Sequence, residues 1–93
     1  MKWISVKERL PEIPDGDNAI SVIVAEYDPC YEGYSVYECM YGNCPKAMGF
    51  PAFKGFMQLM YGMSKNGVRE QFWGPLFDEV THWMYLPEPP EYK

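Results

Sequence analysis

Residues 20–27, Ile-Ser-Val-Ile-Val-Ala-Glu-Tyr, constrain the fold more than any other stretch of the chain. Ile20, Val22 and Val24 fall on one face of an extended segment, and Ser21, Ile23, Ala25 and Tyr27 on the other. Branched side chains on both faces favour a pleated backbone and argue for a central strand covered on each side. Residues 34–41, Tyr-Ser-Val-Tyr-Glu-Cys-Met-Tyr, alternate in the same way after the connection Asp28–Gly33. Two strands with so short a link form an antiparallel hairpin. Gly42-Asn43 and Pro45 end the second strand.

Residues 51–63 satisfy two periods at once. Phe53, Phe56, Met57 and Met60 follow helical spacing, and Pro51 suits a first turn. Met57, Leu59, Tyr61 and Met63 alternate as a strand would, and Asn66-Gly67 ahead of Val68–Trp73 is a hairpin signal. Gly55 and Gly62 each cost a helix about 1 kcal/mol relative to Ala. The balance favours a helix by a narrow margin, with Met57, Met60 and Met63 on its core face. Trp3–Val6 reads as a short extended entry, and Val80–Leu86 as the last strand, stopped by Pro87, Pro89 and Pro90. Strict alternation there sets Val80, His82, Met84 and Leu86 on the core face and Thr81, Trp83 and Tyr85 opposite. His82 then needs a backbone carbonyl or carboxylate partner, and Trp83 packs against the Trp3 segment. The expected fold is α+β: an antiparallel sheet of three to five strands with one helix near 51–63.

Ninety-three residues make a single domain, 1–93, with a small core that sixteen aromatic side chains must fill. The net charge is −5 and the eight bases are scattered, which argues against a duplex nucleic-acid footprint. No apolar run approaches a membrane span, and Met1-Lys2-Trp3 does not open a signal peptide. Cys30, Cys39 and Cys44 are an odd set that reads as reduced thiols of a cytoplasmic protein.

Chemistry-bearing constellations are sparse. The three cysteines with His82 lack the tight knuckles of structural zinc, since only Cys39 and Cys44 lie near each other in sequence. No motif marks a nucleophile, and Asp78-Glu79 sits beside a turn, where carboxylates are usually solvated. No catalytic residue, metal or cofactor is expected. The surplus lies in aromatics: Tyr27, Tyr31, Tyr34, Tyr37 and Tyr41 within fifteen residues are too many for one small sheet face to bury. Tyr31, Tyr34, Tyr37 and Tyr41, with Arg69 and Trp73, are the candidate binding residues; filling of the core is the competing reading.

The two ends carry a resemblance. Trp3-Ile4-Ser5-Val6-Lys7-Glu8-Arg9-Leu10-Pro11-Glu12 and Val80-Thr81-His82-Trp83-Met84-Tyr85-Leu86-Pro87-Glu88-Pro89-Pro90 resemble the family called domain of unknown function 551. Its members are small proteins frequent in phages and prophages, and Tyr85 stands where the family usually has Pro. The resemblance implies a compact sheet-based domain in a phage context and supplies no catalytic residues. The expected function is a non-enzymatic phage or prophage accessory protein, cytoplasmic in the host cell, with homo-oligomerisation left open. It would bind a host protein stoichiometrically and so inhibit an antiviral defence. A nucleotide-sequestering sponge, with Arg69 or Lys54 on the phosphate, and a structural or assembly role are the rivals.

Overall fold

A computed structural model describes residues 2–76 and 79–87. They form six strands: β1 (Ile4–Ser5), β2 (Ala19–Asp28), β3 (Gly33–Cys44), β4 (Phe53–Met63), β5 (Arg69–Pro75) and β6 (Glu79–Tyr85). All pairings are antiparallel, within one sheet of order β1-β6-β2-β3-β4-β5. The expected α+β class is therefore corrected to all-β, with six strands and no helix among the described residues.

The correction turns on residues 51–63, whose alternation prevails over their helical spacing. Phe53–Met63 pairs with β3 on one side and with β5 on the other, and Met57 is shared by both ladders. The turn explains why. Ser64 N donates to Val68 O at 2.8 Å, Gly67 N to Ser64 O at 2.9 Å, and Gly67 holds a φ of 77°, which a side chain would resist. Gly62 also lies where a Cβ would meet the Met48 methyl at 2.6 Å. The three methionines consequently share no single face: Met57 and Met63 project to one side of β4 and Met60 to the other.

β2 is central, between β3 and β6. On its inner face Val22 and Val24 are fully buried, packed with Cys39, Tyr41, Val80 and Trp83, and flanked by Ile4, Val6, Ile13, Ile20, Tyr37, Phe56 and Leu76. The N-terminal segment roofs this face. Trp83 Nε1 donates to Arg9 O at 2.9 Å, Glu12 N to the Tyr85 hydroxyl at 3.4 Å, and Asn43 N to Asn18 O at 2.8 Å. The outer face of β2 has no such roof among the described residues, and Ile23 there is only half-buried.

The faces of β6 are exchanged relative to strict alternation. Ala25 pairs with His82 but Glu26 with Val80, so Thr81 is an extra residue, a β-bulge. It returns Val80 to the inner face beside Trp83 and Tyr85 and leaves His82 and Met84 outside. Trp83, not His82, is thus the core residue of the strand. The strand ends at Tyr85, one residue short of the expected Leu86, and Pro87 follows after Leu86, while Glu88, Pro89 and Pro90 lie outside the described residues, as does Asp78.

β4 also bends. Cys44 is opposite Phe53 and Trp73 opposite Leu59, six residues apart on β4, or about 20 Å in a flat sheet. Yet the Cys44 thiol donates to Trp73 O at 3.2 Å. The β4–β5 hairpin therefore turns at Met57 and folds against the end of β3, which buries Cys44 and Met57.

Candidate interaction surface

The outer face of the β6-β2-β3 region is built by register. Tyr27 stands opposite Tyr34 on β3 and Glu79 on β6, and Ala25 opposite Val36 and His82. Trp3, one residue before β1, lies on the same face and closes a cavity of about 350 Å³ lined by Trp3, Ala25, Tyr34, Val36 and His82. Tyr34 and Val36 are 56% and 59% exposed, so these rings and methyls face solvent although the strand beneath them is the centre of the sheet.

Its rings hold one another in fixed geometry. Tyr27 and Tyr34 meet edge-on with centroids 5.3 Å apart, and Tyr34 meets the His82 ring edge-on at 6.5 Å. His82 Nδ1 lies 2.9 Å from Thr81 Oγ1, whose hydroxyl donates to Ala25 O at 3.4 Å. Either partner can be the donor in the His82–Thr81 contact, according to the tautomer of the ring. The bulge residue Thr81 thus orients the ring. His82 accordingly finds a hydroxyl, where alternation alone called for a carbonyl or carboxylate. A second cavity, about 330 Å³, shares Tyr34 and His82 and is lined further by Ser5, Val6, Lys7, Glu79 and Thr81.

The six residues expected to bind are dispersed. Tyr34 is central to the patch. Tyr31 is exposed in the β2–β3 connection, where its hydroxyl and Ser35 Oγ share a hydrogen bond of 2.8 Å and its ring covers Gly33. Tyr37 and Tyr41 are on the inner face: Tyr37 donates to Glu26 Oε2 at 2.7 Å, and Tyr41 is buried against Phe56 with centroids 4.9 Å apart. Burial also raises the Tyr41 pKa. Arg69 is at the hairpin end over the Tyr61 ring at 5.0 Å, and Trp73 lies beside Met40 and Met57 at another cavity. The tyrosine cluster is therefore divided between core and surface by the period of two. Trp3, Val36 and His82 complete the patch and were not among the expected binding residues. Their signal was available in part, since Val36 shares the strand face of Tyr34.

The thiols do not converge. Cys30 is exposed, Cys39 lies on the inner face and Cys44 on the outer. Burial pushes the Cys39 thiol up to about 12, helped by the charges of Glu26 and Glu38, and burial likewise raises Cys44. Among the described residues, no three His, Cys, Asp or Glu side chains are grouped to hold a metal ion, and no helix is long and apolar enough to cross a membrane.

Fold and surface together define a one-sheet all-β domain whose own N-terminal segment roofs one face while the other presents an aromatic patch. The chain belongs to a family of proteins of unknown function, DUF551, whose model matches residues 2–91. No curated protein and no solved structure matches it.

Proposed function

We propose that this protein is a phage or prophage accessory protein that acts by stoichiometric binding of a host protein in the host cytoplasm, without chemistry, to blunt an antiviral defence. The observation that supports it is the exposed Trp3–Tyr34–Val36–His82 patch on the central strands. Rigid aromatics there supply contact area at low entropic cost, and a preformed apolar hollow accepts a side chain of the partner. The His82 ring adds a polar group inside it, which suits a partner residue with an apolar body and a polar tip, such as Trp or Tyr. The phage setting and the defence target rest on the family resemblance, which is associational support.

The test replaces Val36 by a photo-crosslinking residue and compares it with the same substitution at Lys54, in phage-infected host cells. One host protein joined at Val36 and not at Lys54, recovered as a one-to-one complex by native mass spectrometry, is the expected result. Equal capture at both positions, or turnover of a substrate by the purified protein, overturns the reading. A second reading, sequestration of a nucleotide signal, is favoured by the cavity that adjoins the patch and carries Lys7. Its bases would be Lys7 and not Arg69 or Lys54, which lie on the hairpin. A thermal shift with nucleotides that is lost in Lys7→Ala and Trp3→Ala would select it.

A further inference from the structure

Sheet edges need protection, and two of the edges here have it. β1 is two residues long, and β5 carries Arg69, Glu70 and Pro75. The third edge is internal to the sheet order. The β3–β4 ladder runs only over Met40–Cys44 and Phe53–Met57; from Gln58 to Met63, β4 pairs with β5 alone among the described residues. That edge reads Gln-Leu-Met-Tyr-Gly-Met, with no charge and no proline, and Leu59, Tyr61 and Met63 on it are exposed. Where the strands part, a cleft of about 310 Å³ opens, lined among others by Glu38, Met40, Gln58, Leu59 and Trp73. An uncharged six-residue edge is a template for another strand, which soluble proteins cover, charge or pair.

We infer that the Gln58–Met63 edge pairs with the same edge of a second copy of this chain, giving a two-fold dimer. Antiparallel pairing about an axis near Met60–Tyr61 is self-complementary, as a two-fold interface must be. It carries the turn of each hairpin, with Lys65, towards the cleft of the other copy, where Glu38 stands. The charges agree with that arrangement. Residues 53–75 hold Lys54, Lys65 and Arg69 against the single acid Glu70, while twelve of the chain's thirteen acids lie outside them. A basic hairpin and an acidic body attract between copies and steer the docking. The inference does not depend on the host-factor reading, because it is argued from the β4 edge and the charge distribution and not from the Trp3–Tyr34–Val36 patch.

Sedimentation equilibrium of the full chain tests it, with near-UV circular dichroism to confirm that each variant keeps its fold. The wild type is expected at twice the 10.8 kDa chain mass. Tyr61→Lys sets like charges together at the axis and should give a monomer. Lys65→Glu should weaken the dimer by about tenfold or more, and Lys65→Glu with Glu38→Lys should restore it, since each 1.4 kcal/mol of lost attraction is a factor of ten. Amide exchange should show protection within Gln58–Met63 in the wild type that Tyr61→Lys removes. A wild-type monomer at the highest soluble concentration, an assembly larger than two, or a dimer indifferent to Tyr61→Lys would each overturn the proposal.

Discussion

Replacing Trp83 by Ala tests how this thin domain is held together. Trp83 is fully buried, opposite Val24 on β2 and Ile4 on β1, and its ring meets Tyr85 edge-on at 4.9 Å. The Arg9 guanidinium sits 5.3 Å from the ring and the indole N–H holds Arg9 O. One side chain therefore joins three strands and the N-terminal roof. Removing a buried Trp side chain costs about 3–5 kcal/mol, counting lost transfer energy and the cavity left behind. No further penalty is added for Arg9 O, because Arg9 is exposed and water can reach it. A domain of this length has about 5–14 kcal/mol in total, at roughly 0.05–0.15 kcal/mol per residue, so the variant sits near the edge of folding. Urea unfolding followed by near-UV circular dichroism should show a midpoint lowered accordingly, with melting lower by on the order of 15 °C or more. Trp83→Phe, which keeps most of the area and loses the N–H bond, should cost about 1–2 kcal/mol. A Trp83→Ala loss below about 1 kcal/mol would refute the assignment of this residue to the core.

Other outcomes follow from the same structure. In the unfolded chain the Cys39 thiol ionises near its ordinary value of 9.0, whereas the native thiol holds its proton to about 12, so the native state binds more protons between these values and stability falls as pH rises from about 9 to about 12. The slope for one thiol is about 1.4 kcal/mol per pH unit, and urea midpoints in that window should fall less steeply in Cys39→Ala; an unchanged slope contradicts the burial of this thiol. Gly42→Ala would set a Cβ 2.2 Å from Asn18 O and 2.5 Å from the Ala19 Cα, both backbone, so it should destabilise by about 2 kcal/mol or more where Gly16→Ala, in open space at φ 89°, costs only about 1 kcal/mol. Equal thermal shifts for these two variants would count against the β2–β3 packing. Tyr34→Ala, by contrast, should change stability by no more than about 1 kcal/mol while abolishing partner capture, and a large loss of stability would make Tyr34 a core residue.

The central hairpin was legible because Ile20–Tyr27 and Tyr34–Tyr41 carry an unambiguous period of two. The strand at 53–63 was not, because Phe53, Phe56, Met57 and Met60 satisfy the helical period and methionine suits either state. Only the Ser64–Val68 turn, whose geometry brings β5 alongside, decides between them. The exchange of faces in β6 was invisible for a different reason: a bulge at Thr81 leaves no mark in a run of alternating residues. That one inserted residue moved Trp83 inside and His82 outside, and with them half of the candidate site. The aromatic surplus of residues 27–41 is spread over both faces of the sheet. Its division into Tyr37 and Tyr41 inside and Tyr27 and Tyr34 outside needed the register.

Hydroxyl-radical footprinting of the free protein and of its complex with the captured host protein tests the proposed docking surface most directly. Trp3, Tyr34 and Val36 should be oxidised in the free protein and protected in the complex, with Trp83 and Tyr41 protected in both. Equal oxidation of Trp3 and Tyr34 in the two samples would contradict binding through this face.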